Sequence, residues 1–251
     1  MALRAAASNG HLECMKLLLP VSDPGAEDSH ALRRAAEHGH AECVRLLLPL
    51  SNAKARGSQA LLRAAENGHA ECVSLLLPKS DAEAGDSQAL RAAATNGHVE
   101  SVRLLLPLSD AKAQESYALR WAARYGCAEC VRLLLPASDP KAKDSEALSL
   151  AVRNGHEECA MLLMPDSGPL CEIDGLLQGA LSAGQAKVAA VLVGKDPRLL
   201  EGINLSKRLA VARDSGHGDL AAYLSSIIDR QELLGMDGTQ PSRSRSGSAR
   251  L

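Results

Sequence analysis

One short unit recurs along the chain at a period of 29 residues, and no other property limits the fold so severely. Copies in phase read "ALRRAAEHGHAECVRLLLPLSNAKARGSQ" from Ala31, "ALLRAAENGHAECVSLLLPKSDAEAGDSQ" from Ala60 and "ALRAAATNGHVESVRLLLPLSDAKAQESY" from Ala89. Others begin at Ala2, Ala118 and Ala147, with weaker ones at Leu176 and, after a three-residue insertion, near Arg208. A unit this short cannot bury its own apolar face, so neighbouring units share one continuous core. The period predicts an elongated stack of about eight units over residues 1–230.

Each unit parses as helix, turn, helix, loop. Ser29, Ser58, Ser87, Ser116 and Ser145, with Asp174 in the next copy, precede a short Ala/Leu run and are expected to be N-caps. Gly10, Gly39, Gly68, Gly97, Gly126, Gly155 and Gly184 then stop the first helix, where a positive φ costs glycine little. A second helix of the "AECVRLLL" type ends at Pro20, Pro49, Pro78, Pro107, Pro136 or Pro165, which cannot continue the hydrogen-bond ladder. The fold class is therefore all-α, a helix-turn-helix repeat solenoid.

At "ALRRAAEHGHAECVRLLL" the chain resembles the ankyrin repeat, whose signature runs T-P-L-H-x-A-A-x-x-G-H-x-x-I-V-x-x-L-L over about 33 residues. The likeness covers roughly residues 2–230. The opening is here "QALL", "QALR" or "YALR", and the shortening falls in the loop after LLLP. The resemblance implies that the family's projecting β-hairpin is reduced to a tight loop. It also implies that first helices line a concave binding face. In that family such domains serve as adaptors and inhibitors and, in host-associated microbes, as effectors delivered into a host cytosol. The near-identical Ala/Leu/Arg-rich repeats suit a bacterial source.

Positions identical in every copy answer to stacking; positions that vary are free of it. The Leu of each "AL" and the Ala pair after it recur almost throughout and form the core, in the fifth unit Leu119, Ala122 and Ala123. The chain has one Trp, three Tyr and no Phe, and "YALRWAARYG" holds three of those four aromatics. At 100° per residue Tyr117, Trp121 and Arg124 fall opposite the core, with Tyr125 at that side's edge. Their equivalents in other copies are variable and mostly polar, among them His30, Gln59, Arg34, Arg63, Asn67 and Asn96. Stacking does not require these aromatics, so they are candidates for a partner contact, Trp, Tyr and Arg being enriched at interface hot spots.

Arg4, Arg33, Arg91 and Arg120 occupy the place of the ankyrin His, and Arg34, Arg63, Arg124 and Arg153 lie nearby. A basic ladder along the groove would suit an acidic protein surface or, as an alternative, a nucleic-acid backbone. The competing explanation packs the Arg stems over apolar neighbours and pairs their heads with Glu37 and Glu66. The net charge of −2 gives no global reason to bind a polyanion.

His11/Cys14, His40/Cys43, His69/Cys72 and His156/Cys159 repeat as H-x-x-C, and Cys127/Cys130 forms a C-x-x-C. Each is half a zinc site, but equivalent positions in stacked repeats stand about 8 to 10 Å apart, too far to share an ion or close a disulfide. The simpler reading puts His in the "GH" turn and Cys in a small apolar slot, which Ser101 and Val188 also fill. A metal- or redox-dependent protein acting through Cys127 and Cys130 is the other alternative. Cys171, in a loop, is the expected accessible thiol. Glu13, Glu42, Glu71, Glu100, Glu129 and Glu158 open second helices, three residues before a basic residue in most copies, a structural pairing. No motif for nucleophilic, metal or phosphate chemistry is present, so no enzyme activity, metal or cofactor is expected.

The N-terminal "MALRAAASNGHLECMKLLLP" lacks the layout of a secretory signal, and no apolar run reaches about 18 residues. Seven Cys in helical contexts favour reduced thiols. Met1 abuts the first helix, as in a fraying end repeat or the start of a fragment. Residues 231–251, Ser/Arg-rich from 236, are expected to be a disordered tail. Together these features predict a monomeric, cytoplasmic, non-catalytic scaffold that binds a partner protein, with no membrane contact and no small-molecule substrate. The expected contact residues are Tyr117, Trp121, Arg124, Tyr125, Arg120, Arg91, Arg34 and Arg63.

Overall fold

A computed structural model describes residues 1–167, 173–201 and 203–236. The expectations for Cys171, the Asp174 side chain and the chain from 237 onward fall outside the described residues. Among those residues the secondary structure is α-helix with short 3-10 turns, and no strand is present. The ankyrin hairpin is indeed reduced to a tight loop. Packing divides the chain into two compact units, Met1–Glu172 and Ile173–Leu251.

The first unit holds six helix pairs: α1 and α2 (Ala2–Ser8, Leu12–Leu18), α3 and α4 (Ala26–Glu37, Ala41–Leu47), α5 and α6 (Ala55–Glu66, Ala70–Leu76), α7 and α8 (Ala84–Thr95, Val99–Leu105), α9 and α10 (Ala113–Arg124, Ala128–Leu134), α11 and α12 (Ala142–Arg153, Glu157–Leu163). The second holds α13 and α14 (Ile173–Ser182, Ala186–Lys195) and α15 and α16 (Leu205–Asp214, Gly218–Met236). Helix α16 thus carries regular structure past position 230. Among the described residues no helix is long and apolar enough to cross a membrane.

In the first unit the odd-numbered helices form one row and the even-numbered ones another, the odd row packing more closely. Small residues explain the close row: Ala35, Ala36, Ala64, Ala65, Ala93, Ala94, Ala122 and Ala123 are fully buried. Leu32, Leu61, Leu90 and Leu119 repeat between them, also fully buried, and truncating such a Leu to Ala costs about 2 to 5 kcal/mol. Each second helix in the first five pairs runs into a 3-10 turn with Pro near its start, Leu48–Leu50 in the second pair, so proline closes the unit as expected.

The turn between paired helices is a staple as well as a bend. Gly39 adopts φ 75°, and the His40 amide reaches back to the Ala35 carbonyl at 3.0 Å, the Schellman pattern. The imidazole of the following repeat then lies against that glycine. His69 donates from Nε2 to the Glu37 carbonyl at 3.1 Å, and a Cβ on Gly39 would stand 2.5 Å from its Nδ1. His40, His98 and His156 make the same bond to the carbonyls of Ser8, Glu66 and Arg124. The "GH" turn is therefore a contact between repeats, with glycine needed for both its φ and its missing side chain.

Ser29, Ser58, Ser87 and Ser116 do not cap their own helices. Glu27, Asp28 and Ser29 have φ between 53° and 57°, a left-handed turn at the front of α3, and the same turn recurs at the front of α5, α7, α9 and α11. In that geometry the Ser29 Oγ faces the next repeat and accepts from the Asn52 amide at 2.7 Å; Ser58, Ser87 and Ser116 do the same for Asp81, Asp110 and Asp139. A serine ahead of an Ala/Leu run has both options, and the stacked neighbour supplies the better-placed donor. Three successive left-handed residues cost about 1 to 2 kcal/mol each where a Cβ is present.

Candidate functional site

Much of the arginine ladder is spent on those left-handed turns. Arg120 is 7% exposed; it donates to the carbonyls of Glu115 at 2.9 Å and Gln114 at 3.0 Å and pairs with Glu146 of the next repeat. Arg33, 8% exposed, donates to the Glu27 carbonyl and to Gln59 Oε1. Arg91 donates to the Gly85 carbonyl at 2.8 Å and to Gln114. Arg34 and Arg63 pair with Glu37 and Glu66 at 2.8 and 2.7 Å, and Arg4 with Glu27 at 2.8 Å. The ladder is a set of braces, and Arg120, expected at a partner contact, is buried inside the stack because its guanidinium satisfies carbonyls that the left-handed turn leaves open.

Repeat 5 differs. Tyr117, Trp121 and Tyr125 stand at successive turns of α9, where α-helical side chains at i and i+4 meet. Tyr117 and Trp121 have ring centroids 5.2 Å apart and Trp121 and Tyr125 5.7 Å apart, a continuous aromatic stripe. The Arg124 guanidinium lies 4.4 Å from the Trp121 centroid and 5.9 Å from that of Tyr125. Arg91 and Arg120 stand 5.2 and 5.7 Å from the Tyr117 ring. Tyr117 and Trp121 are half-buried, while Tyr125 at the helix end is 56% exposed. The structure thus gathers Tyr117, Trp121, Arg124 and Tyr125 with Arg91 and Arg120, and leaves Arg34 and Arg63 in repeats 2 and 3.

The thiols occupy the apolar slot. Cys43, Cys72, Cys130 and Cys159 are buried and free. Burial pushes the Cys72 and Cys159 thiols up to about 11, with nearby negative charge adding to the effect. Cys130 is raised by burial and by its hydrogen bond with Cys127. Cys127 replaces the stapling His in repeat 5 and caps α10, its sulfur accepting from the Cys130 amide at 3.4 Å. The equivalent carbonyl, that of Thr95, therefore receives no imidazole. Cys14, in the first helix pair, is an exposed thiol that the sequence pattern did not single out. Among the described residues no three His, Cys, Asp or Glu side chains converge as a metal site. On the second helices the Glu series pairs as expected, Arg45 with Glu42 at 3.5 Å and with Glu71 of the next repeat at 3.4 Å.

A profile described as ankyrin repeats in three copies matches in overlapping windows from residues 3–88 through 32–115, 61–144 and 90–175 to 119–205. The chain belongs to the ankyrin-repeat family. Two solved ankyrin structures resemble it. The ankyrin repeat domain of human ASB11 shares 24% identity at a TM-score of 0.66, over 78% of this chain and 98% of that one. An ankyrin repeat domain from Acinetobacter baumannii AYE shares 26% identity at a TM-score of 0.56, over 66% of this chain and 98% of that one. No curated protein matches. Ankyrin repeats are in general modules of protein–protein interaction, and the family is generally non-catalytic; this chain has their fold and repeat signature.

Proposed function

We propose that this ankyrin-repeat protein is a non-catalytic scaffold that holds a partner protein on the face of its odd-numbered helices, centred on α9. The observation that carries this reading is the stripe of Tyr117, Trp121 and Tyr125, side chains that stacking does not demand, lying partly open on one helix face. Aromatics held in register by their neighbours lose little side-chain freedom on binding, which favours them as anchors. Within the first unit, the small, fully buried alanines between odd-numbered helices support a tightly packed row that presents this face to a partner. Single thiols buried in separate repeats, with no pairing built into the stack, fit a reducing, cytosolic setting, and a monomer is sufficient for the role.

The test is affinity capture from a cytosolic lysate with the wild-type protein and a Tyr117→Ala, Trp121→Ala, Tyr125→Ala variant whose circular dichroism and melting match wild type. A partner retained by wild type and lost by the variant supports the reading. Equal capture by both removes the aromatic stripe as the anchor.

A further inference from the structure

Two positions of the odd-numbered helices change character along the stack. In repeats 2 and 3 they hold Arg34 with Glu37 and Arg63 with Glu66, ion pairs that neutralise themselves. In repeat 4 they hold Ala92 and Thr95, without charge, and in repeat 5 they hold Trp121 and Arg124. The carboxylate that balanced each arginine has been replaced by an arginine, and the arginine by an aromatic ring. The same face therefore passes from self-paired to cationic and aromatic within three repeats.

We propose that the partner docks on this face through an acidic polypeptide segment, with a carboxylate gripped by Arg124. The proposal rests on the reading of the face as a protein-binding site. Arg124 is exposed and carries no carboxylate partner among the described residues. Its guanidinium lies over Trp121, 4.4 Å from the ring centroid, and donates to no carbonyl or carboxylate among the described residues, so its N–H fork is open to a carboxylate bound in bidentate fashion. Its backbone is fixed from the next repeat, since His156 donates to the Arg124 carbonyl at 3.0 Å. Arg91, over the far ring of the stripe, likewise bonds only a carbonyl and an amide, so two unbalanced cations bracket three rings. An acidic segment with interleaved aliphatic side chains satisfies both features: carboxylates for the guanidinium groups and apolar contact for the ring faces. The evenly spaced charge of a nucleic acid fits less well, because a phosphate backbone calls for a row of free cations, and Arg33, Arg34, Arg63 and Arg120 are already spent on carbonyls and carboxylates of the stack.

Trp121 is the only tryptophan in the chain, so its emission reports on this site alone. The wild-type protein and Arg124→Gln are titrated with a peptide of alternating Glu and Leu, with its Gln/Leu counterpart and with oligothymidylate. The expected result is a saturable change in Trp121 emission with the Glu/Leu peptide, weakened by salt. Binding of the Gln/Leu peptide to wild type, and of the Glu/Leu peptide to Arg124→Gln, is expected to be about tenfold to a hundredfold weaker. Equal binding of the two peptides overturns the acidic segment while leaving a protein-binding face of apolar character. Tighter binding of oligothymidylate overturns it in favour of a phosphate backbone. No response to the Glu/Leu peptide also overturns it, and the aromatic triple variant then judges the protein-binding reading separately.

Discussion

Replacing Gly39 with alanine probes the contact that joins one repeat to the next. Gly39 has φ 75°, and a Cβ there would stand 2.5 Å from Nδ1 and 2.7 Å from Cε1 of His69. The left-handed backbone alone costs alanine about 1 kcal/mol. The ring must also move, which breaks its bond to the Glu37 carbonyl and adds about 1 kcal/mol, with lost packing on top. Gly97 is a control built into the chain: its φ is 73°, but its Cβ would meet Cys127 Sγ at 3.7 Å and Cys127 Cβ at 3.8 Å, ordinary contacts. Gly97→Ala should therefore cost about 1 kcal/mol and Gly39→Ala about 2 to 3 kcal/mol. Cys127→His should supply the missing donor for the Thr95 carbonyl, raise stability by about 1 kcal/mol, and make Gly97→Ala as damaging as Gly39→Ala. Urea unfolding followed by circular dichroism gives each value, and the double variant gives the coupling. If Gly39→Ala and Gly97→Ala agree within about 0.5 kcal/mol, the ring does not wedge the repeats and the reasoning fails.

Ser101 fills the slot held by Cys43, Cys72, Cys130 and Cys159, and its buried Oγ has no hydrogen-bond partner, so Ser101→Cys should stabilise by about 1 kcal/mol in the same denaturation assay. Asp144 sits at φ 55° in the left-handed turn at the front of α11, and its counterpart in the turn at the front of α5 is Gly57; Asp144→Gly should raise stability by about 0.5 to 1 kcal/mol. Thiol labelling near neutral pH should modify Cys14 quickly and reach Cys43, Cys72, Cys130 and Cys159 only on unfolding. Because folding raises the Cys72 and Cys159 thiols from 9.0 to about 11, the unfolded chain releases those protons first. Stability should hold below pH 9.0 and fall as pH rises toward about 11, a loss visible as a declining urea midpoint.

The repeat period, the helix pair, the glycine stops and the proline ends were legible in the sequence because each depends on residues within one unit. Gly39 needs positive φ and Pro49 cannot extend a helix whatever lies beside them. The amphipathic assignment of α9 was also local, and it placed Tyr117, Trp121 and Arg124 together before any neighbour was known. The partners of side chains that have a choice were decided by the stack. Ser29 can cap its own helix or its neighbour's loop, and the left-handed turn sends it to Asn52. Arg120 reads as one rung of an exposed ladder, yet the carbonyls opened by that turn draw it inside. His69 looks like part of a turn and acts as a bolt between repeats. Periodicity fixes what each unit must be, since the same local geometry recurs every 29 residues. Only the juxtaposition of units settles where a polar group finds its partner, because hydrogen bonds reach about 3 Å and depend on which repeat lies within that distance.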